Sequence, residues 1–266
     1  MAPSEVRREY KASLSMVHRV DGAIRSKRVP SLPHNLIKKG LSKMLKVFGD
    51  FQRRNDLLVK FDKLMPAYSI SCVIADVMYR TGVMHSGIKP PFRAKAVGQA
   101  VTVQLSRGDL VDPLKALEMA QRGDIIVVDA GGDTETSICG GLMGGLALNR
   151  GIRGMVVDGA GRDIDELEAI GWPIWSRAVT ARGTHTMYSG RQEELSVNVP
   201  ISCGGVLVEP GDFIVADTIG AVVVPLEDAE QVLKLAKDQV DREQVTRDRV
   251  SQGKTVEDLL AEFGRI

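Results

Sequence analysis

From about residue 64 onward, short β-branched runs alternate with stretches of helical period. Runs at 97–105, 125–129, 155–158, 205–208, 213–217 and 221–225 are each bounded by Gly, Pro or Asp, the pattern of strands. Helical spacing recurs near 113–122, 136–150 and 163–170, and 226–252 reads as one long helix with charges of alternating sign. Gly204-Gly205 and the stretch Glu209-Pro210-Gly211-Asp212 punctuate a hairpin-like unit. Strands alternate with helices early and cluster late, which predicts an α/β fold with mixed sheets rather than a regular doubly wound one. Upstream the pattern differs. Ile37, Leu41, Met44, Leu45, Phe48 and Phe51 recur at helical spacing between Pro30-Ser-Leu-Pro33 and Pro66.

Charge separates the same two regions. The 266-residue chain carries 35 Lys and Arg against 34 Asp and Glu, a net charge of +1. Residues 1–63 hold 15 basic against 6 acidic side chains, and the remainder holds 20 against 28, so a +9 segment precedes a −8 body. The division predicts a basic helical extension over 1–63 and an α/β domain over 64–266. Clustered basic residues can track polyanions. Here acidic residues are interspersed and no aromatic residues interleave for base stacking, so the extension is expected to pack its apolar stripe on the body rather than bind nucleic acid.

No apolar run approaches the roughly 20 residues that span a bilayer, and no secretory leader is evident at the start. Cys72, Cys139 and Cys203 form no CxxC pair and fit a reducing compartment, so a cytoplasmic location is expected. Cys139 and Cys203 lie in glycine-rich sequence and read as packing residues. Trp172 and Trp175 flank Pro173 and are expected to pack the exit of the 163–170 helix.

Several chemistries lack their residues. There is no phosphate-binding glycine loop, no HExxH, no zinc-type Cys/His cluster and no GxSxG elbow. The four histidines (His18, His34, His85, His185) are dispersed, and His185 reads as a loop residue. No lysine occurs between Lys115 and Lys234, so Schiff-base chemistry is closed to that half of the chain. A carbonyl-handling site there needs a metal ion or an arginine as its electrophile.

The same lysine-free stretch concentrates glycine. It runs Asp129-Ala-Gly-Gly, then Cys139-Gly-Gly-Leu-Met-Gly-Gly, then Asp158-Gly-Ala-Gly-Arg162-Asp163-Ile-Asp165-Glu166. Gly140 and Gly141 stand near a helix start, where backbone N–H groups bind carboxylates. Arg162 and Asp163 follow a strand and a glycine turn, and two readings of them stand side by side. They offer a cation for an oxyanion and a hard oxygen ligand for Mg2+ or Mn2+. Equally, Asp163 can cap the next helix with Glu166 completing a capping box.

Gly141, twenty residues, Arg162-Asp163, two residues and Glu166 together resemble the motif of the 4-hydroxy-4-methyl-2-oxoglutarate aldolase family, which also contains the regulator of ribonuclease E activity A. The likeness runs from about Ile70 to the C-terminus and leaves out the basic segment. It implies a compact swivelling β/β/α domain, assembled as trimers or hexamers with sites between subunits. It further implies that Asp163 ligates a divalent metal and that Arg162 binds the pyruvyl group and its developing enolate. Backbone amides of Gly140, Gly141, Leu142 and Met143 would hold the substrate carboxylate. The expected reaction is metal-dependent retro-aldol cleavage of a 4-hydroxy-2-oxo acid, or decarboxylation of oxaloacetate through the same enolate. One position departs from the pattern, since Gly141 stands where the aldolases carry an acidic residue. The alternatives are a non-catalytic regulator, its basic extension engaging a partner or RNA, or an oligomeric scaffold.

Overall fold

The computed structural model describes residues 51–105, 109–184 and 196–264. The apolar stripe from Ile37 to Phe48 and three of the histidines, His18, His34 and His185, lie outside the described residues.

Six strands form one mixed sheet in the order β4-β3-β2-β1-β7-β8. β1 (Ala96–Gln104), β2 (Ile125–Cys139), β3 (Gly154–Gly161) and β4 (Ile174–Val179) are parallel neighbours, while β7 (Phe213–Ala216) runs antiparallel to both β1 and β8 (Ala221–Val224). The parallel strands are joined through α3 (Val111–Met119), α4 (Gly141–Arg150) and α5 (Ile164–Ile170). β5 (Ile201–Cys203) and β6 (Val206–Val208) make a separate hairpin, turned by Gly204 and Gly205 at φ +60° and +78°.

Strand alternation sends side chains to two cores. Val101, Val103, Ile126, Val128, Met155 and Val157 face one way and pack under α3, α4 and α5. Ala100, Ile125, Val127 and Val156 face the other way, against Trp175 and the β5–β6 hairpin. Strands buried on both faces read as continuous apolar runs, and that is why β1, β2 and β3 stand out in the sequence.

A third cluster seats α1 (Asn55–Leu64), α2 (Ile70–Val77) and α6 (Ala229–Ser251) on β7 and β8. The described end of the basic segment belongs to it. Leu57, Leu58 and Phe61 of α1 are buried beside Phe213, and Arg53 pairs with the buried Asp124 at 3.0 Å.

The expected helix over 136–150 is shorter than its pattern suggested, because β2 continues to Cys139 and α4 starts at Gly141. The strands β4 and β5 and the terminal helix α7 (Val256–Phe263) were not foreseen. Among the described residues, no helix is long and apolar enough to cross a membrane.

Candidate functional site

The parallel pairing of β2 and β3 builds the site. Three register shifts carry β2 past Asp129, and its last residue pairs Cys139 with Gly161. The chain therefore leaves the two neighbouring strands side by side, as Gly140-Gly141 and Arg162-Asp163. The Arg162 N–H donates to the Cys139 carbonyl at 2.9 Å and fixes this junction. It lies at the C-terminal ends of parallel strands, the usual place for sites in α/β folds.

Asp163 precedes α5 in the position of a helix cap but does not act as one. Its backbone is left-handed, φ 53° and ψ 44°, and its side chain makes no capping hydrogen bond. Instead Oδ2 accepts the Gly141 N–H at 3.1 Å, and Arg162 Nε lies 3.5 Å from the same oxygen. Non-glycine residues in this region of backbone space cluster at functional sites, and Asp tolerates it better than most. Both side chains stay nearly half exposed, 46% for Arg162 and 42% for Asp163, so both remain open to a ligand.

The glycines make room for these groups. A Cβ on Gly140 would overlap Asp163 Oδ2 and press on Arg162, and one on Gly141 would overlap the Glu166 carboxylate. Two carboxylates from the start of α5 thus lie over the start of α4. Their oxygens fit a hard divalent cation, since Mg2+ is held by one or two carboxylates with water and substrate completing its shell. Among the described residues no group of three or more His, Cys, Asp or Glu is placed to hold a metal ion, so a cation here would depend on Asp163 together with water and substrate oxygens.

Arg162 and Asp163 border a cavity of about 210 Å3, together with Gly140, Leu142 and Met143. At roughly 30 Å3 per water-sized group, this is space for about seven, the scale of a small oxo acid. Gly141 is not in its lining and serves through its N–H and its missing side chain. Leu110 and Leu114 from the α3 region, with Leu146 of α4, supply an apolar wall that sequence reasoning missed. The signal was available in principle, because α3 follows the same sheet edge. No lysine lines the cavity among the described residues, in keeping with the lysine-free stretch.

The N–H groups of Leu142 and Met143 belong to the first turn of α4, whose donors have no acceptor within the helix and face the positive end of its dipole. Cys139 is no nucleophile. Burial, with the Asp163 charge adding to it, pushes its thiol up to about 12. Cys203 is likewise buried and its thiol is pushed up by burial.

The RraA-like family model, described as aldolase/RraA, matches residues 71–223. A Halalkalibacterium halodurans protein, provisionally named a 4-hydroxy-4-methyl-2-oxoglutarate aldolase, is 41% identical over 182 residues, spanning 66% of this chain and 84% of its own. A Thermus thermophilus protein named 4-hydroxy-4-methyl-2-oxoglutarate aldolase is 35% identical over 133 residues, spanning 50% of this chain and 77% of its own. Among solved structures, Streptomyces coelicolor RraAS2, titled an unusual member of the RNase ES inhibitor RraA family, superposes with a TM-score of 0.61 at 30% identity, over 74% of this chain and 98% of that one.

Proposed function

The chain belongs to the RraA-like (aldolase/RraA) family, and from that membership we propose that it is a lyase that cleaves a small 2-oxo acid through a pyruvate enolate at the Arg162–Asp163 cavity. The observation that carries this reading is the posture of Asp163, which forgoes its capping role and holds its carboxylate beside Arg162 at the start of α4. Relatives named for aldolase activity support the reaction class.

The substrate carboxylate would lie at the N-terminus of α4, where the Leu142 and Met143 amides meet it with the helix dipole behind them. Arg162 would donate to the 2-oxo oxygen and bind it more tightly as negative charge develops there; a single well-placed donor of this kind contributes about 10²–10³ in rate. Asp163 would hold Mg2+ or Mn2+, which supplies Lewis-acid polarisation of the oxo group when bound. In retro-aldol cleavage the 4-hydroxyl proton leaves as the C3–C4 bond breaks, and Glu166, whose carboxylate lies beside Gly141, would accept it. The bond's electron pair becomes the enolate. Return of the proton to C3 yields pyruvate and releases a carbonyl product. Decarboxylation of oxaloacetate would use the same enolate, with CO2 as the leaving fragment and water as the proton source.

A regulatory role is the second reading, favoured by the likeness to RraAS2. A lactate-dehydrogenase-coupled assay separates the two. Oxaloacetate and short 4-hydroxy-2-oxo acids are supplied with and without Mg2+ or Mn2+, and metal-dependent pyruvate is expected. Its absence with every substrate would leave the regulatory reading.

A further inference from the structure

Arg162 must be held in place to meet a developing oxyanion, yet its guanidinium has little polar anchoring. Among the described residues its one ion pair is the 3.5 Å approach of Nε to Asp163, and no side-chain hydrogen bond fixes it. A long side chain left half exposed samples many rotamers unless packing removes them. What bounds it here is backbone that carries no side chain. A Cβ on Gly140 would lie 3.1 Å from both Cγ and Nε of Arg162, and a Cβ on Gly183 would lie 2.8 Å from Nη1 and 3.4 Å from Cζ. The stem thus rests against Gly140 and the guanidinium head against Gly183.

Gly183 reaches this position through the sheet. Beyond β4 the Thr180 N–H donates to the Gly161 carbonyl at 3.0 Å, and the Ser137 N–H donates to the Arg182 carbonyl at 2.8 Å. Gly183 therefore pairs with Ser137 as a parallel bridge. Both walls of the slot hang on the tail of β2, with Gly140 following its end and Gly183 lying beside it. Nothing in the backbone of Gly183 calls for glycine, because its φ lies outside the left-handed region. The three nearest atoms that a Cβ there would meet all belong to the Arg162 guanidinium. The next residue, Thr184, lines the cavity.

We propose that Gly183 is a positioning residue, its bare backbone being the surface that holds the Arg162 guanidinium at the cavity. The consequence for turnover rests on the lyase reading, whereas the contact itself does not. A donor that binds its oxygen more tightly as charge develops acts on the transition state, so displacing it lowers kcat and leaves KM nearly untouched.

The test is Gly183→Ala in the full chain. It should lower kcat about 10- to 100-fold, the scale for a catalytic group misplaced by about 1 Å, and leave KM within about twofold. The melting temperature should stay at the native value, because the displaced atoms are the far end of a flexible side chain. In an Arg162→Ala background the same substitution should cost nothing further, since the residue it acts through is gone. Equal loss in both backgrounds would make Gly183 a general structural residue and overturns the proposal, as does native kcat in Gly183→Ala. Phenylglyoxal labelling of Arg162, read by peptide mass spectrometry, needs no turnover. The displaced guanidinium should react several times faster in Gly183→Ala than in the native chain. If no substrate yields pyruvate, the lyase reading fails and the labelling alone decides the slot; equal labelling rates in the two proteins overturn it.

Discussion

The Glu166 carboxylate fills the space that any side chain at position 141 would need. In the sequence Gly141 reads as a lost acid. In the structure an acid arrives from α5 instead, and the glycine is what admits it.

This relationship predicts an unusual result for Gly141→Ala. Gly141 is the first residue of α4, and its φ is not in the left-handed region, so alanine suits the backbone. The clashing atoms are the far end of a flexible side chain, which can swing away at little cost. The melting temperature should therefore hold, while turnover falls to the level of Glu166→Gln, about 10²–10⁴-fold if Glu166 moves the proton. Pyruvate release rates and melting curves on both variants check this. Full turnover by Gly141→Ala would remove Glu166 from the chemistry.

Asp163→Asn should separate charge from conformation. Asn tolerates the left-handed backbone at φ 53°, and its amide oxygen can still accept the Gly141 N–H. The fold should persist by circular dichroism, while metal-dependent turnover drops and Mn2+ binding weakens in a calorimetric titration. Asp163→Ala loses the acceptor as well and places a less tolerant residue in that conformation, so it should also cost about 1–2 kcal/mol of stability.

The parallel core and the Arg162–Asp163 dipeptide were legible because they are written in local pattern. β1, β3 and the first half of β2 are apolar on both faces, and Arg162-Asp163 directly follows β3, whose glycine-bearing end read as a turn but is strand through Gly161. β4 was not legible, since Pro173 and two tryptophans interrupt its entry and mask the β-branched signal. β5 has three residues, too few for a period. The tail of β2 is glycine-bearing and polar, and its register shifts break alternation, so it resembled a helix start. Local pattern left Asp163 equally open to a capping role and a ligand role. Only the pairing of β3 with β2 sets Asp163 opposite Gly141, and that is a tertiary fact.

Thiol chemistry gives an inexpensive test of burial around the site. Cys139 and Cys203 are 2% and 0% exposed, and burial raises both thiols, that of Cys139 to about 12. Cys72 is exposed, but partial desolvation raises its thiol too. A disulfide reagent at pH 8 should therefore titrate one thiol in the native protein, more slowly than a free cysteine, and three after denaturation. Rapid labelling of Cys139 in the native state would show that the cavity floor opens to solvent.

Acid sensitivity should trace to Asp158. This carboxylate is 5% exposed in mid-β3, paired in bidentate fashion with Arg177 of β4, and it accepts the Gly204 N–H at 2.7 Å. It thereby ties the β5–β6 hairpin to the main sheet. Burial opposes its ionisation, but the Arg177 and Gly204 hydrogen bonds outweigh that and hold its carboxyl below the usual range. A carboxyl depressed in the fold contributes stability above its unfolded value, about 3.9, and loses it as pH falls toward the folded one. Asp158→Asn should therefore cost roughly 1.5–3 kcal/mol at neutral pH, the usual loss for hydrogen bonds to a charged group. At about 2–4 °C per kcal/mol for a domain of this size, the melting temperature should fall by about 3–12 °C. The gap between native protein and variant should be constant from pH 7 to about 5 and narrow below about pH 4. Melting curves across that range decide the matter, and a gap that does not narrow in acid would assign the loss to packing rather than to the charge on Asp158.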